Sequence, residues 1–214
     1  FDHFSELDTI PPDAQLSAVI ASMEAGTQDA AAVYAAGNSF SSTLALSTES
    51  DLDRLPGHLP RTSPAENEYL GSALFSGPRM TGVLTGEETG LLCLMMGKAQ
   101  RRTTFIGDAQ YKTNLHTRVA RTLGSADGAL EVLIRMSLTR IAGDASEAQE
   151  DIAQRIERGC IGVLQKLQAA SCDAIGFGRT AIRSSLTIPD WEKTNWPLIY
   201  ETLPVRARAK VKVL

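Results

Sequence analysis

Leu203, Val205, Ala207, Ala209, Val211 and Val213 alternate without interruption with Pro204, Arg206, Arg208, Lys210 and Lys212. Successive side chains of a β-strand point to opposite faces. The run is therefore a strand with one apolar face and one basic face. Such a strand needs a cover on one side only, the pattern expected of an antiparallel sheet with one wet face. The cover is visible upstream. Ser146 to Ser171 reads as a long helix in which Ile152, Ile156, Cys160, Val163, Leu164 and Leu167 fall on one stripe. Together these two segments predict an α+β fold, a mainly antiparallel sheet packed with the long Ser146 to Ser171 helix.

Other segments fit that frame. Tyr69 to Ser76 and Met80 to Thr85 read as two strands joined by the short turn Gly77-Pro78-Arg79. Thr85 and Glu88 have capping-box spacing ahead of a helix that runs through Leu91, Leu92, Leu94 and Met95 to Gly97. A polar stretch then leads to Leu115–Leu123 and Ala129–Ile141, a hairpin across Gly124 to Gly128. In its second strand Leu130, Val132, Ile134, Met136 and Leu138 share one face. Gly159 and Gly162 interrupt the long helix, where each costs ~1 kcal/mol against Ala, and suggest close approach to the sheet. Asp144 or Ser146 is expected to cap that helix, with Glu147 and Glu150 at the positive end of its dipole.

The N-terminal part is less defined. Leu16 to Met23 is an apolar run compatible with strand or helix. Gln28 to Gly37 reads as a short Ala-rich helix with a glycine stop, and Phe40 to Leu55 as a second helix. Pro56, Gly57, Pro60 and Pro64 break any regular structure. They place a domain boundary near residue 63, between a smaller α+β region at 1–63 and an α+β domain at 64–214. The region after the boundary is expected to share one core and to fold alone.

Composition excludes several classes. Among 214 residues, 43% are hydrophobic, enough for a sizeable core. Lys and Arg number 21 against 25 Asp and Glu, so the basic excess of a nucleic-acid binder is missing. No apolar run of about 18 residues offers a membrane-spanning helix. A start at Phe1 rather than Met is expected of a trimmed chain. Cys160 and Cys172 on one helix would lie roughly 18 Å apart at a rise of ~1.5 Å per residue. That exceeds the reach of a disulfide, so these two and Cys93 are read as buried thiols.

One motif invites a chemical reading. Gly176-Phe177-Gly178-Arg179-Thr180-Ala181 fits the G-x-G-x-x-A pattern of a dinucleotide-binding loop. That chemistry requires a preceding strand, a following helix with the phosphate on its N-terminus, and an acidic residue about twenty positions on. Here the glycines follow the long helix, and Glu192 and Glu201 are surrounded by Pro189, Trp191, Trp196 and Pro197. Gly176 and Gly178 are instead read as positive-φ positions of a helix-to-loop corner. His3, His58 and His116 lack partners at metal-ligand spacing. No G-x-S-x-G is present, and Glu87-Glu88 suits the first turn of a helix better than an acid/base pair. Trp191 and Trp196 are read as rings that seal the end of a core. The face formed by Arg206, Arg208, Lys210 and Lys212 suits solvent, an anionic lipid surface or an acidic partner.

Two longer stretches carry a resemblance. "YLGSALFSGPRMTGVLTGEETGLLCLMMGK" joins an apolar strand ending in Phe-Ser to a short turn and a Glu-Thr-Gly-Leu-Leu helix. "LQKLQAASCDAIGFGRTAIRSSLTIPDWEKTNW" runs from a Gln-rich helix end through Asp173, Gly176, Phe177 and Gly178 to Trp191 and Trp196, before the alternating strand. In this order and spacing they resemble the Ger(x)C family, lipoprotein C subunits of bacterial spore-germination nutrient receptors, over about residues 66–214. The resemblance implies a multi-domain α+β protein and a non-enzymatic subunit, with no catalytic residues and no cofactor. It also implies anchorage at the outer face of the inner spore membrane, beside integral-membrane subunits. The family's signal peptide, lipid-modified Cys and further N-terminal domain are not among these residues, so the anchor is expected of the parent protein. An extracytoplasmic solute-binding module is the alternative, and an enzyme with an unrecognised site a third.

Overall fold

The sheet formed by the C-terminal half is built around one long strand. In the computed structural model, which describes residues 20–21, 28–36, 68–97, 103–106, 109–113, 117–124, 127–143, 148–184 and 187–214, eight strands form two sheets. The first has the order β1-β2-β3, from Ala31–Ala36, Glu68–Ser76 and Arg79–Leu84. The second contains β4 (Thr103–Ile106), β5 (Ala109–Thr113), β6 (Arg118–Leu123), β7 (Leu130–Ala142) and β8 (Val205–Val213). Five α-helices follow among the described residues, α1 (Gly86–Met95), α2 (Gln149–Ala169), α3 (Phe177–Ala181), α4 (Ile188–Lys193) and α5 (Trp196–Thr202), with a 3-10 turn at Ile182–Ser184 after α3. The fold is α+β, as expected.

β7 organises the second sheet. Leu138 pairs with both Thr113 of β5 and Val213 of β8, and Leu130 to Arg135 pair with both β6 and β8. β5 and β6 therefore lie end to end along one edge of β7, with β8 along the other. Leu130, Val132, Ile134, Met136 and Leu138 are all buried, so the period-two reading holds. Across from them, Ile152, Ile156, Cys160, Val163, Leu164 and Leu167 of α2 are buried as one stripe in the same cluster. Each such side chain contributes about 1.5–3 kcal/mol when removed from water.

β8 pairs with β7 in parallel, not antiparallel as its alternation suggested. A parallel pair needs a crossover of a dozen or more residues, and α2 lies within it. The strand keeps a polar face because the helices cover only one side of the sheet. Among the described residues no strand pairs the outer edge of β8. Its Ala209 N–H donates to Glu157 Oε1 of α2 at 2.8 Å.

The β2–β3 hairpin closes through Gly77-Pro78, with Gly77 at φ 54°. Thr85 and Glu88 form the expected capping box on α1: the Thr85 N–H donates to Glu88 Oε2 at 3.0 Å, and Thr85 Oγ1 accepts from the Glu88 N–H at 3.4 Å. Glu88 also pairs with Lys166 and so ties α1 to α2.

Several expectations are corrected. Gln28 to Gly37 is not a helix. Its Ala31–Ala36 segment is strand β1, antiparallel to β2. Alanine's helix preference is worth only tenths of a kcal/mol per residue, and the β2 edge offers backbone partners instead. The expected division near residue 63 falls outside the described residues, but 28–36 on its N-terminal side share a sheet with β2. The α2 N-cap is Ala148, with no side-chain cap bond, not Asp144 or Ser146. A Cβ on Gly159 would meet Leu91 Cδ1 of α1 at 2.7 Å, so its neighbour is a helix rather than the sheet, while Gly162 faces open space. β4 and β5 occupy the stretch read as polar connection. Phe40 to Leu55, His3, His58 and His116 lie outside the described residues, as does most of Leu16 to Met23, of which Ile20 and Ala21 are helical.

Candidate functional site

The GFG corner is organised by one carboxylate. After α2 the chain reverses through Ser171, at φ 51°. Asp173 follows and is 2% exposed. Its Oδ1 accepts the N–H groups of Gly176 and Phe177, both at 2.9 Å. Its Oδ2 accepts the Gly178 N–H at 2.6 Å and Trp196 Nε1–H at 3.1 Å. Three of these donors are backbone groups at the start of α3, where N–H groups have no acceptor within the helix; the Gly176 N–H also reaches the Asp173 carbonyl at 3.1 Å. Burial pushes the Asp173 carboxyl up to about 6, against the opposing pull of Gly178, Phe177, Trp196 and Gly176.

Gly176 stands at φ 82°, where glycine is favoured. A Cβ there would also lie 3.0 Å from Gln28 Oε1. Gly178 is different from the expectation: it lies inside α3 and is not among the positive-φ residues. Phe177 is fully buried, Trp196 is buried and Trp191 is half-buried. The Trp191 and Trp196 rings lie 6.0 Å apart, and Trp196 and Tyr200 5.9 Å apart. Tyr200 Oη–H donates to Cys172 O at 3.1 Å. Gln168 Nε2 donates to Tyr200 O and Leu203 O, which fixes α5 to the end of α2.

Asp29 was not singled out in the sequence. Its Oδ2 accepts the Asp173 N–H at 2.8 Å and its Oδ1 the Gly77 N–H at 3.4 Å. Burial raises its carboxyl above the usual range. Gln28 Nε2 donates to Ala174 O at 2.7 Å. The segment before β1 thus joins the β2–β3 turn to the GFG corner. The sequence signal was only a polar Gln-Asp pair ahead of the alanines.

The arrangement carries out packing and capping. The N–H groups that a pyrophosphate would require are already donated to Asp173. Among the described residues no group of three or more His, Cys, Asp or Glu is placed to hold a metal ion. Cys93, Cys160 and Cys172 are buried and in no disulfide, and burial pushes Cys160 and Cys172 up to about 12, far from thiolate reactivity. No described helix is long and apolar enough to cross a membrane.

The second candidate is the outer face of β8. Arg206, Arg208, Lys210 and Lys212 are all exposed, while Ala207 and Ala209 are buried. Arg206 is committed within the chain. It pairs with Glu131 at 3.1 Å and with Asp127, which raises its own pKa, while the Ala129 N–H and then Arg206 lower that of Asp127. The other three cations extend into neighbouring strands that the sequence reading did not connect. Lys210 is in register with Arg135 of β7, and Arg135 with Arg118 of β6.

Comparison with known proteins adds the decisive observation. The family model for "Spore germination B3/ GerAC like, C-terminal" matches residues 70–214, well over half of the chain. The chain belongs to the spore germination B3/GerAC-like family. A crystal structure of the GerBC protein shares its fold with a TM-score of 0.50 at 17% identity, covering 70% of this chain and 52% of that one. The chain therefore spans about half the length of the GerBC chain. A search of curated proteins found no match. From Leu70 within β2 through α1, and from α2 through the Asp173 corner to β8, the GerAC-like region covers both signature stretches but for Tyr69.

Proposed function

We propose that this chain belongs to the C subunit of a spore germinant receptor. In this reading it is a non-enzymatic, extracytoplasmic lipoprotein that acts in receptor assembly and in passing on the germination signal. Its partners are the integral-membrane receptor subunits, and its place is the outer face of the inner spore membrane, held by a lipid anchor on the parent protein. The carrying observation is the GerAC-like match over residues 70–214. The corner supports it: its polar atoms are spent on one another, as befits a scaffold rather than a reaction centre. Arg206, Arg208, Lys210 and Lys212 of β8 are the proposed interaction face, toward an anionic surface rather than toward the subunit contacts themselves.

Deleting the gene from the spore-forming parent and following nutrient-triggered germination tests the reading. Loss of the response to one nutrient class, with an unchanged response to a non-nutrient trigger, is expected. An unaltered response to every nutrient would contradict it.

A further inference from the structure

The sheet's outer face carries a charge arrangement that the strand sequences do not show separately. Arg118, Arg135 and Lys210 lie directly opposite one another on β6, β7 and β8. Adjacent strands are about 4.8 Å apart, so three cations stand in one row across the sheet. Arg208 and Lys212 flank the row along β8, and Lys112 of β5, in register with Thr139 of β7, lies on the same face further along the sheet. All six are exposed. Of the acids on these strands, Glu131 is already engaged by Arg206.

Like charges directly opposite each other destabilise a sheet. Residues at those positions are not explained by the fold of the isolated chain, because a neutral row would pair better. An external anionic surface would remove the repulsion. Two more features choose the kind of surface. Leu133, 37% exposed and in register with Arg208, stands on the same face of β7. Three of the six cations are lysines, a type depleted at protein interfaces but effective near charged lipid. Long basic side chains around an isolated aliphatic one can reach headgroups while their stems stay in apolar surroundings.

We propose that this face rests on an anionic phospholipid bilayer. Arg118, Arg135 and Lys210 form its centre, with Arg208, Lys212 and Lys112 around them. The inference rests on the membrane placement proposed above. It assigns to the chain a second membrane contact, through its own sheet, besides the anchor of the parent protein.

The test is flotation of the 214-residue chain with vesicles of phosphatidylglycerol mixed with phosphatidylcholine, and with phosphatidylcholine alone. Binding to the mixed vesicles only, weakened by added salt, is expected. The Arg118→Gln/Arg135→Gln/Lys210→Gln variant should bind roughly fivefold more weakly per cation removed, and so about a hundredfold in total. Its melting temperature should be equal or higher, because the repulsive row is gone. Neutralising Arg79, Arg183 and Lys193, exposed elsewhere, should leave vesicle binding unchanged. In detergent, without a bilayer, the triple variant of the full-length protein should still co-purify with the membrane subunits.

Absence of binding to the mixed vesicles overturns the proposal, as does equal binding by the triple variant. Co-purification retained alongside such a result leaves the receptor reading standing without the lipid contact. Loss of co-purification in the triple variant would instead assign the row to an acidic protein surface.

Discussion

A carboxylate that is 2% exposed and accepts four hydrogen bonds has little room for substitution. Asp173→Asn replaces one acceptor oxygen by an NH2 group that must face a donor, Gly178 N–H or Trp196 Nε1–H. An unsatisfied buried donor costs about 1–3 kcal/mol, so chemical denaturation at neutral pH should show a loss of about 2–4 kcal/mol. The pH dependence carries a sign. With a folded pKa of about 6 against an ordinary 3.8, the native state binds the proton more readily than the unfolded chain. The contribution of this group is therefore fully present below the ordinary value and lost as pH rises through about 6. Across that window wild type should lose up to about 3 kcal/mol relative to Asp173→Asn. A constant difference between the two would contradict the assignment. Phe177→Ala should cost about 3–5 kcal/mol, since the ring is fully buried. Calorimetry with NAD, FAD or ATP should show no binding, because Asp173 holds the loop N–H groups. Micromolar binding abolished by Gly178→Val would overturn that.

At the scale of the element, the two glycines of α2 separate. Gly162 faces open space, so Gly162→Ala should stabilise by about 1 kcal/mol. Gly159→Ala gains the same propensity but drives its Cβ to 2.7 Å from Leu91 Cδ1. It should be neutral or destabilising by thermal melting. These helices and strands differ in how legible they were. α2, β7 and β8 could be read because a burial period spans many residues. β4 and β5 could not: Thr103–Ile106 and Ala109–Thr113 are too short to establish a period. β1 was misread because six residues, four of them alanine, are decided by the neighbour they meet, here β2. The corner helices α3, α4 and α5 were missed because their start signals, such as Pro189 and Pro197, were weighed as breaks. The direction of β8 depends on where the chain returns to the sheet, which its own alternation does not encode.

On the scale of the whole molecule, the chain before residue 63 belongs to the account. β1, Gln28 and Asp29 contact the β2 strand, the β2–β3 turn and the Asp173 corner. A chain trimmed to 64–214 should therefore melt below one that starts at Gln28, by several kcal/mol given about 1 kcal/mol for each lost hydrogen bond. Equal melting would make β1 dispensable. The Asp173, GFG and tryptophan positions of the signature were legible as a corner. Their shared hub was not, because it joins groups that are distant in sequence. Of the six cations, Arg208, Lys210 and Lys212 were legible on β8, while cross-strand register brings in Arg118, Arg135 and Lys112. The central claim is that the chain serves as a receptor subunit, and it is tested most directly by affinity purification of the full-length protein from membranes in mild detergent. The integral-membrane germinant receptor subunits encoded in the same genome should be recovered with it in constant proportion. Recovery of the protein without them would contradict the claim.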